Sequence, residues 1–249
     1  MKFLDVPELE DINERLNCLD LGDRILNARL EAYTCRPYKE DKKLLSEISR
    51  KYNDDGVGRG QCNSPLGSMK LPSTRKLFSQ LISVMNQSFI DYDFRDASPD
   101  NFKPVSLSEA SRAINMHVLD PVEKEVPGLK ASFWHTVDEF MDLNAADVYR
   151  YESNLDLDVF TKGKLFSCNF FFINRKKSRL VFFAAGAVSS LHSAASELQT
   201  PIASMMDMED GACCEEGGSD DDSCQVLSSS WMGSVTLVAD SNTKPARPS

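Results

Sequence analysis

The sequence predicts an α+β protein in which helices pack against a central, mainly antiparallel sheet, an α/β sandwich. The stretch from Leu165 to Ala185 holds two runs of aromatic and β-branched residues around a short basic turn, the pattern of a β-hairpin. The order of elements is helix, strands, insertion, three helices, strand and hairpin. This order lacks the strand–helix alternation that parallel sheets require. We therefore expect this hairpin to form the centre of an antiparallel sheet.

Side chains alternate between the two faces of a strand, so the hairpin can be divided by face. In the first strand one face would carry Phe166, Cys168, Phe170 and Phe172, and the other Phe171 and Ile173. The returning strand places Leu180 and Phe182 opposite to Val181 and Phe183. Since burying one Phe contributes roughly 1.5–3 kcal/mol, apolar residues on both faces predict that both faces are covered. The turn must stay in water because of its cations, which are Arg175, Lys176, Lys177 and Arg179.

Before the hairpin, the N-terminal part predicts one helix and two strands. Pro7 to Leu16 has apolar residues at helical spacing, with Asp5 as its predicted cap. A short strand and turn follow at residues 19–23. Residues 24–35 alternate, which predicts a strand with a buried face and a wet face. The buried face would hold Ala28, Leu30, Ala32 and Thr34, and the wet face Arg29, Glu31 and Tyr33.

Residues 36–70 interrupt this pattern and predict a long mobile insertion. They include four glycines and two prolines, with little apolar content. Long stretches of this kind inside a compact domain are usually mobile or functional. The insertion carries eight basic residues and five acidic ones, so it is mildly cationic.

Three helices are predicted between the insertion and the hairpin. The first follows Pro72, with Ser73 or Thr74 as its cap, and is apolar around most of its circumference. The second begins with the capping box Ser106–Glu109 and runs to about Leu119, where Pro121 should stop it. The third follows Pro127-Gly128. Its apolar stripe contains Leu129, Phe133, Val137 and Phe140. Residues 147–151 then alternate as a strand.

Charge separates a domain from a tail. The formal net charge is −10, and residues 197–249 contain ten acids against two basic residues, so that stretch carries −8. We therefore expect a single domain at residues 1–192 and a disordered acidic tail at 193–249. Seven scattered cysteines, no signal-peptide pattern and no run of about 20 apolar residues predict a reduced intracellular protein without a membrane span.

Enzyme chemistry has little support in the sequence. The three histidines show neither metal-ligand spacing nor a nucleophile partner, and no phosphate loop or nucleophile elbow occurs. Asp138 and Glu139 resemble an acid/base pair, but adjacent helix positions point about 100° apart, which favours a solvated face. Cys213, Cys214 and Cys224 match no zinc pattern. We expect no enzyme activity, no cofactor and no metal.

Four segments resemble the sequence boxes of one family. They are Gly22-Asp23 with Arg29 to Cys35, Asp91 to Phe94, Trp134 to Glu139, and Ser167 to Phe183. The last is long and unusual enough to be specific. Together they are similar to the Maf-one family, global repressors of RNA polymerase III transcription, over residues 1–35 and about 73–188. Ala28 stands where that family usually has glycine, and Phe140 where it has an aliphatic residue.

The resemblance implies a phosphorylation-controlled negative regulator of the synthesis of transfer RNA and 5S ribosomal RNA. Its expected partners are RNA polymerase III, the initiation-factor subunit related to transcription factor IIB, and protein kinases and phosphatases. It implies a stress response and a location in nucleus and cytoplasm set by phosphorylation, with the nucleolus as a further candidate location. We expect no specific DNA binding, because the acidic tail repels phosphates. The alternative is a phospho-regulated adaptor without a polymerase role.

Two charged groups are the candidate partner-binding sites. They are Asp138, Glu139 and Asp142 near the end of the third helix, and Arg175, Lys176, Lys177 and Arg179 at the hairpin tip. An ordinary solvated surface remains the competing interpretation. The tip also resembles a nuclear-import signal, and replacing Arg175, Lys176 and Lys177 by alanine is expected to reduce nuclear accumulation and to leave the melting temperature nearly unchanged. The candidate phosphorylation sites are Ser46, Ser64, Ser178 and Ser219.

Overall fold

A computed structural model describes residues 1–53, 63–153, 160 and 163–190 of the chain. The predicted acidic tail, including Ser219 and the three cysteines beyond residue 200, lies outside these residues, as do residues 54–62 of the predicted insertion. The domain boundary at residue 192 therefore stays a prediction.

The strands form one main antiparallel sheet, which confirms the predicted fold class. Its order is β1-β3-β9-β8-β7-β6, with β2 also paired to β3, and β4 and β5 form a separate small hairpin. The central pair β8–β9 is the predicted hairpin. The strand bounds are β1 Phe3–Leu4, β2 Leu19–Asp20, β3 Arg24–Thr34, β4 Asn63–Ser64, β5 Gly67–Ser68, β6 Phe102–Val105, β7 Asp147–Tyr151, β8 Phe166–Asn174 and β9 Arg179–Ser189.

Helices cover both faces of the sheet, as the two-sided hairpin predicts. The helix bounds are α1 Pro7–Leu16, α2 Lys39–Asn53, α3 Pro72–Ser88, α4 Leu107–Ile114, α5 Asp120–Val122 and α6 Leu129–Met141. On one face, side chains of α1, α4 and α6 form a common core with Phe170, Phe172 and Phe183. On the other, the rings of Phe171 and Phe182 stack with centroids 4.5 Å apart, beneath α3.

Part of the predicted insertion is regular structure. Residues 39–53 form α2, which packs on α3 and buries Ile48. The small β4–β5 hairpin follows, and Met69 beyond it is buried. These residues thus belong to regular structure, while the mobility of the insertion at residues 36–70 stays a prediction. The signal for α2 was weak because its apolar positions are few, although Leu44 and Ile48 stand one helical turn apart.

Three helix boundaries differ from the predictions. Val6, not Asp5, precedes α1, and Leu71 precedes α3, so that Pro72 takes the first helical position instead of Ser73 or Thr74 forming a cap. Pro121 does not stop the second predicted helix. The chain passes through a π-helical turn at Asn115–Leu119 and stays helical to Val122. The cap by Ser106 is confirmed, since its Oγ accepts a hydrogen bond from the Glu109 N–H at 3.1 Å.

The predicted wet face of β3 is largely covered. α3 lies over it, so Tyr33 is 2% exposed and the side chains of Arg29 and Glu31 are each 15% exposed. These two charges form an ion pair at 3.2 Å, and Arg29 also donates to the Ser88 carbonyl at 2.5 Å. Burial raises the pKa of the Tyr33 hydroxyl, with the Glu31 carboxylate adding to the rise. Polar side chains can thus lie on this covered face because they form hydrogen bonds and an ion pair with one another beneath α3.

Both outer edges of the main sheet are closed to further strands over the described residues. β1 and β2 pair only with the two ends of β3. Between them, the Asn13 Nδ2 donates to the Leu30 carbonyl at 2.9 Å and the Leu30 N–H donates to the Asn13 Oδ1 at 2.7 Å. At the opposite edge, β6 contains Pro104, which has no N–H to offer.

Candidate partner-binding surface at the hairpin tip

The β8–β9 turn is held in place by one buried amide. Asn174, at the end of β8, is 1% exposed, and its Oδ1 accepts a hydrogen bond from the Lys177 N–H at 2.9 Å. Its Nδ2 donates to the Met141 carbonyl at 2.7 Å. Ser178 closes the turn in the left-handed region, at φ +53°. Asn174 therefore fixes both the shape of the turn and its position against α6.

The basic turn caps the C-terminus of α6. The last carbonyls of a helix lack partners within the helix and carry its negative dipole end, so cations stabilise them. The Lys177 ammonium lies 3.4 Å from the carbonyl oxygens of Glu139 and of Phe140. The Arg179 Nη1 donates to the Phe140 carbonyl at 3.0 Å, and its guanidinium lies 4.4 Å from the centroid of the Phe140 ring. Two of the four predicted cations therefore make internal contacts of this kind.

The acidic group lies on the same surface. Asp138, Glu139 and Asp142 are all exposed, as expected for a solvated helix face. Asp138 also has a local role, because its Oδ1 accepts from the Leu143 N–H at 2.9 Å. Asp142 ends α6 in the left-handed region at φ +55°. The Glu139 carboxylate lies 3.8 Å from the Nε2 of His135.

A further ion pair joins the tip to β7. The Arg175 Nε lies 2.9 Å from Asp147 Oδ2. Partial burial lowers the pKa of Arg175, but hydrogen bonds with Tyr149 and Asp147 outweigh this effect, so the net direction is upward. Arg175 therefore stays charged in its place. Lys176, between these anchored residues, is exposed.

The structure thus brings the two predicted charged groups together into one surface, which we call the tip surface: residues 138–142 and 175–179. Sequence reasoning missed its supports, Asn174, Asp147 and the α6 carbonyls. The signal in the sequence that could have identified Asn174 is its position directly before the basic turn. The tip surface offers exposed charges of both signs at fixed positions, which suits recognition of a protein. The residues described here contain no cluster of His, Cys, Asp and Glu able to hold a metal ion.

The candidate phosphorylation sites occupy different settings. Ser46 is exposed on α2, within a regular helix and not in an irregular loop. Ser64 belongs to β4 and its Oγ donates to the Gly67 carbonyl at 2.9 Å. Ser178 is exposed within the tip surface, and its carbonyl accepts from the Cys35 N–H at 2.9 Å.

Among the helices that the structure describes, none is long and apolar enough to cross a membrane.

Comparisons with known proteins point to one family. A family model described as Maf1 regulator matches residues 26–184, which include the whole tip surface. A Dictyostelium discoideum protein named repressor of RNA polymerase III transcription is 26% identical over 262 residues, covering 84% of this chain and 94% of its own length. A Schizosaccharomyces pombe protein with a corresponding name is 26% identical over 199 residues, covering 74% and 82%. A crystal structure of citrus MAF1 matches with a TM-score of 0.59 at 28% identity, covering 74% of this chain and 99% of that one.

Proposed function

The chain belongs to the Maf1 regulator family, and from that membership we propose that it is a negative regulator of RNA polymerase III. Two similar proteins are named as repressors of transcription by this polymerase. The observation that carries the proposal for this chain is that the tip surface lies inside the stretch matched by the family model. A regulator of this kind acts by binding, which agrees with a surface built from charges and helix ends.

The proposed mechanism is steric. The protein would bind the polymerase, and the initiation-factor subunit related to transcription factor IIB, through the tip surface and so prevent engagement with promoters of transfer RNA and 5S ribosomal RNA genes. Exposed Glu139 and Lys176 supply opposite charges for orientation, since charge complementarity determines specificity and register at protein interfaces. Specific DNA binding has no part in this mechanism.

We also propose control by kinases and phosphatases. A phosphate adds about −1.5 to −2 charge. At Ser178 it would lie beside Lys177 and Arg179 and compete with the α6 carbonyls for them, loosening the tip surface. Phosphates at both Ser46 and Ser64 would together cancel the net charge of +3 on the stretch at 36–70 and reverse its sign. Ser219 belongs to the same proposal but lies outside the described residues.

Distribution between nucleus and cytoplasm remains a proposal, with the nucleolus as a further candidate. The tip was predicted as an import signal, but Arg175, Lys177 and Arg179 contact β7 or α6. An import receptor would need to detach this turn. The test is to image fluorescent fusions of two variants, Asn174→Ala, which loosens the turn, and Lys176→Ala, which removes an exposed cation. The nuclear fraction of each variant, compared with that of the wild-type chain, tests whether the turn carries the import signal.

The test of the function is transcription of a transfer RNA gene by purified RNA polymerase III and its initiation factors. We expect the wild-type chain to reduce the transcript and to retain polymerase subunits in a pull-down. Glu139→Lys and Lys176→Glu should weaken both effects without changing the melting temperature. Exposed Glu8 and Lys124 lie outside the tip surface, so Glu8→Lys and Lys124→Glu serve as matched controls.

The outcomes distinguish a failure of the proposed function from a failure of the proposed binding surface. Absence of repression and of polymerase binding by the wild-type chain would contradict the proposed function and favour the phospho-regulated adaptor. Repression that survives both tip variants would retain the function and exclude the tip surface as its site.

A further inference from the structure

A row of exposed cations runs along the outer side of α2. Asp41 and Ile48 lie two turns apart on this helix and are buried, at 8% and 6% exposure. A residue two positions away lies about 200° round a helix, and therefore on its opposite side. The exposed residues two positions before or after Asp41 or Ile48 are Lys39, Lys43, Ser46 and Arg50. These three cations and one hydroxyl form a line, which we call the α2 row.

Buried contacts hold α2 in this orientation. The Asp41 carboxylate accepts hydrogen bonds from the Ser83 hydroxyl on α3 and from the Tyr38 N–H, the latter at 2.5 Å. It also forms an ion pair with the amine of Met1. Further along the helix, α2 packs on α3 and buries Ile48. Because the inner side is fixed at both places, the α2 row stays in water.

The positive charge of the α2 row is not neutralised by neighbouring acids. Within the part of the chain that the structure describes, its three cations form no ion pair. α2 contains five basic residues against three acids, and one of these acids, Asp41, is buried. The other two, Glu40 and Glu47, line the groove between α2 and α3. The cations of the row are therefore available to an anionic ligand.

The spacing of the α2 row suits a ligand with regularly repeated anions. Successive members are three or four residues apart, which is about 4.5–6 Å along the helix axis. The phosphates of a nucleic-acid strand recur at a regular spacing of this order. Lys, Arg and Ser side chains are all common donors to phosphate oxygens. A phosphate backbone lying along α2 would therefore meet a donor at each member of the row.

The composition of the row also distinguishes between classes of anionic partner. Protein interfaces have apolar or aromatic residues at their centre and are depleted in Lys. The α2 row contains no apolar residue, and exposed Lys42 beside it adds a further cation. A helix that binds a membrane inserts its apolar side into the lipid, but the apolar side of α2 packs on α3. Donors without apolar contacts are typical of phosphate recognition.

We propose that the α2 row binds the phosphate backbone of a nucleic acid without reading its sequence. Lys39, Lys43 and Arg50 each contact a phosphate, and the Ser46 hydroxyl donates to the backbone between them. A negative charge at Ser46 repels the backbone and weakens this binding. The interaction depends on phosphates and not on bases, so it differs from the specific DNA binding that we expect to be absent. It does not depend on the proposed function.

The test measures the fluorescence anisotropy of labelled oligonucleotides of about 20 nucleotides with the full-length chain. Single-stranded RNA, duplex RNA and duplex DNA are each used in two unrelated sequences. Since the chain has a negative net charge, we expect only micromolar dissociation constants at about 50 mM salt, equal for the two sequences. Three phosphate contacts predict a slope of about −2 to −3 for log K against log salt concentration, a loss of about 20- to 60-fold between about 50 and 200 mM. The preferred oligonucleotide identifies the source of the backbone.

Variants of the α2 row test whether it is the binding site. Lys39→Gln/Lys43→Gln/Arg50→Gln should weaken binding at least about tenfold and flatten the salt slope. The melting temperature should stay unchanged, because all three side chains are exposed. Ser46→Asp should weaken binding at least about threefold, whereas Ser46→Asn, which has a similar shape and no charge, should bind as the wild-type chain does.

The matched control changes the net charge equally at exposed cations outside α2. Arg15→Gln/Arg112→Gln/Lys124→Gln should lose less than about twofold in affinity, since salt screens distant charges. The proposal is overturned if the wild-type chain binds no oligonucleotide at low salt, or if this control loses as much affinity as the α2 variant. It is also overturned if poly-glutamate of equal charge competes as well as unlabelled oligonucleotide, which would indicate an acidic protein partner.

If the triple α2 variant does not fold, single substitutions take its place. Lys39→Gln and Arg50→Gln should each lower the affinity for all the oligonucleotides and reduce the salt slope by about 1. Unchanged slopes in both would contradict the proposal.

Discussion

At the scale of single residues, Asn13 acts as a substitute for a strand. Its side chain donates to and accepts from the backbone of Leu30 at the edge of β3. Asn13→Ala would leave both backbone groups without this partner, at a cost of about 1–2 kcal/mol in the free energy of unfolding. Urea denaturation measures the loss, with exposed Asn144→Ala as control. Equal midpoints for the two variants would show that water replaces the side chain at no cost.

The described cysteines differ in burial, and their reactivity should follow. Burial raises the pKa of the Cys168 thiol to about 12 and also raises the pKa of Cys35, where Lys76 and Arg175 oppose the rise. A raised pKa means less thiolate at a given pH. Among these three cysteines, iodoacetamide at pH 8 should therefore modify exposed Cys18 first and Cys168 only after unfolding. Peptide mass spectrometry measures the extent of modification of each cysteine separately. Early modification of Cys168 would indicate that the central hairpin opens.

At the scale of elements, the hairpin turn is part of the structure of α6. Arg179→Ala removes a hydrogen bond to the Phe140 carbonyl and a contact with its ring, so we expect a loss of about 1 kcal/mol in stability. Lys176→Ala, in the same turn, should change nothing. Thermal unfolding distinguishes them. The expectation from sequence that the tip is dispensable for stability concerned Arg175, Lys176 and Lys177 and did not include Arg179. Equal melting temperatures for the two variants would contradict the structural role of Arg179.

Elements with a strong apolar pattern could be predicted from sequence, and those held by tertiary contacts could not. α1, α3, α6 and the central hairpin each present a periodic apolar face. α2 has few apolar positions and is defined by packing on α3. The tip surface shows the same division. Its charged residues and their exposure follow from the sequence, whereas their juxtaposition depends on Asn174 reaching Met141 across the fold.

At the scale of the whole molecule, carboxylates set the acid limit of stability. A hydrogen bond from Lys103 lowers the pKa of Glu152 below its ordinary 4.5, and one from Arg95 lowers that of Asp93 below 3.8. A depressed pKa contributes stability that is present above the unfolded value and lost as the pH falls through the folded value. Stability should thus decline below about pH 4.5, the ordinary value for Glu152. Glu152→Gln should flatten that decline in urea titrations; an unchanged slope would assign it to other groups.

The closed edges of the sheet also bear on behaviour at high concentration. A free strand edge is a template on which another chain can add a strand, and proteins avoid this with prolines, short strands or covering groups. Here Asn13 occupies the middle of one edge and Pro104 interrupts the other. Loss of Asn13 would expose an extended, hydrogen-bonding stretch of β3 in an otherwise folded molecule. Self-association through that edge, and not unfolding, would then limit the solubility of the variant.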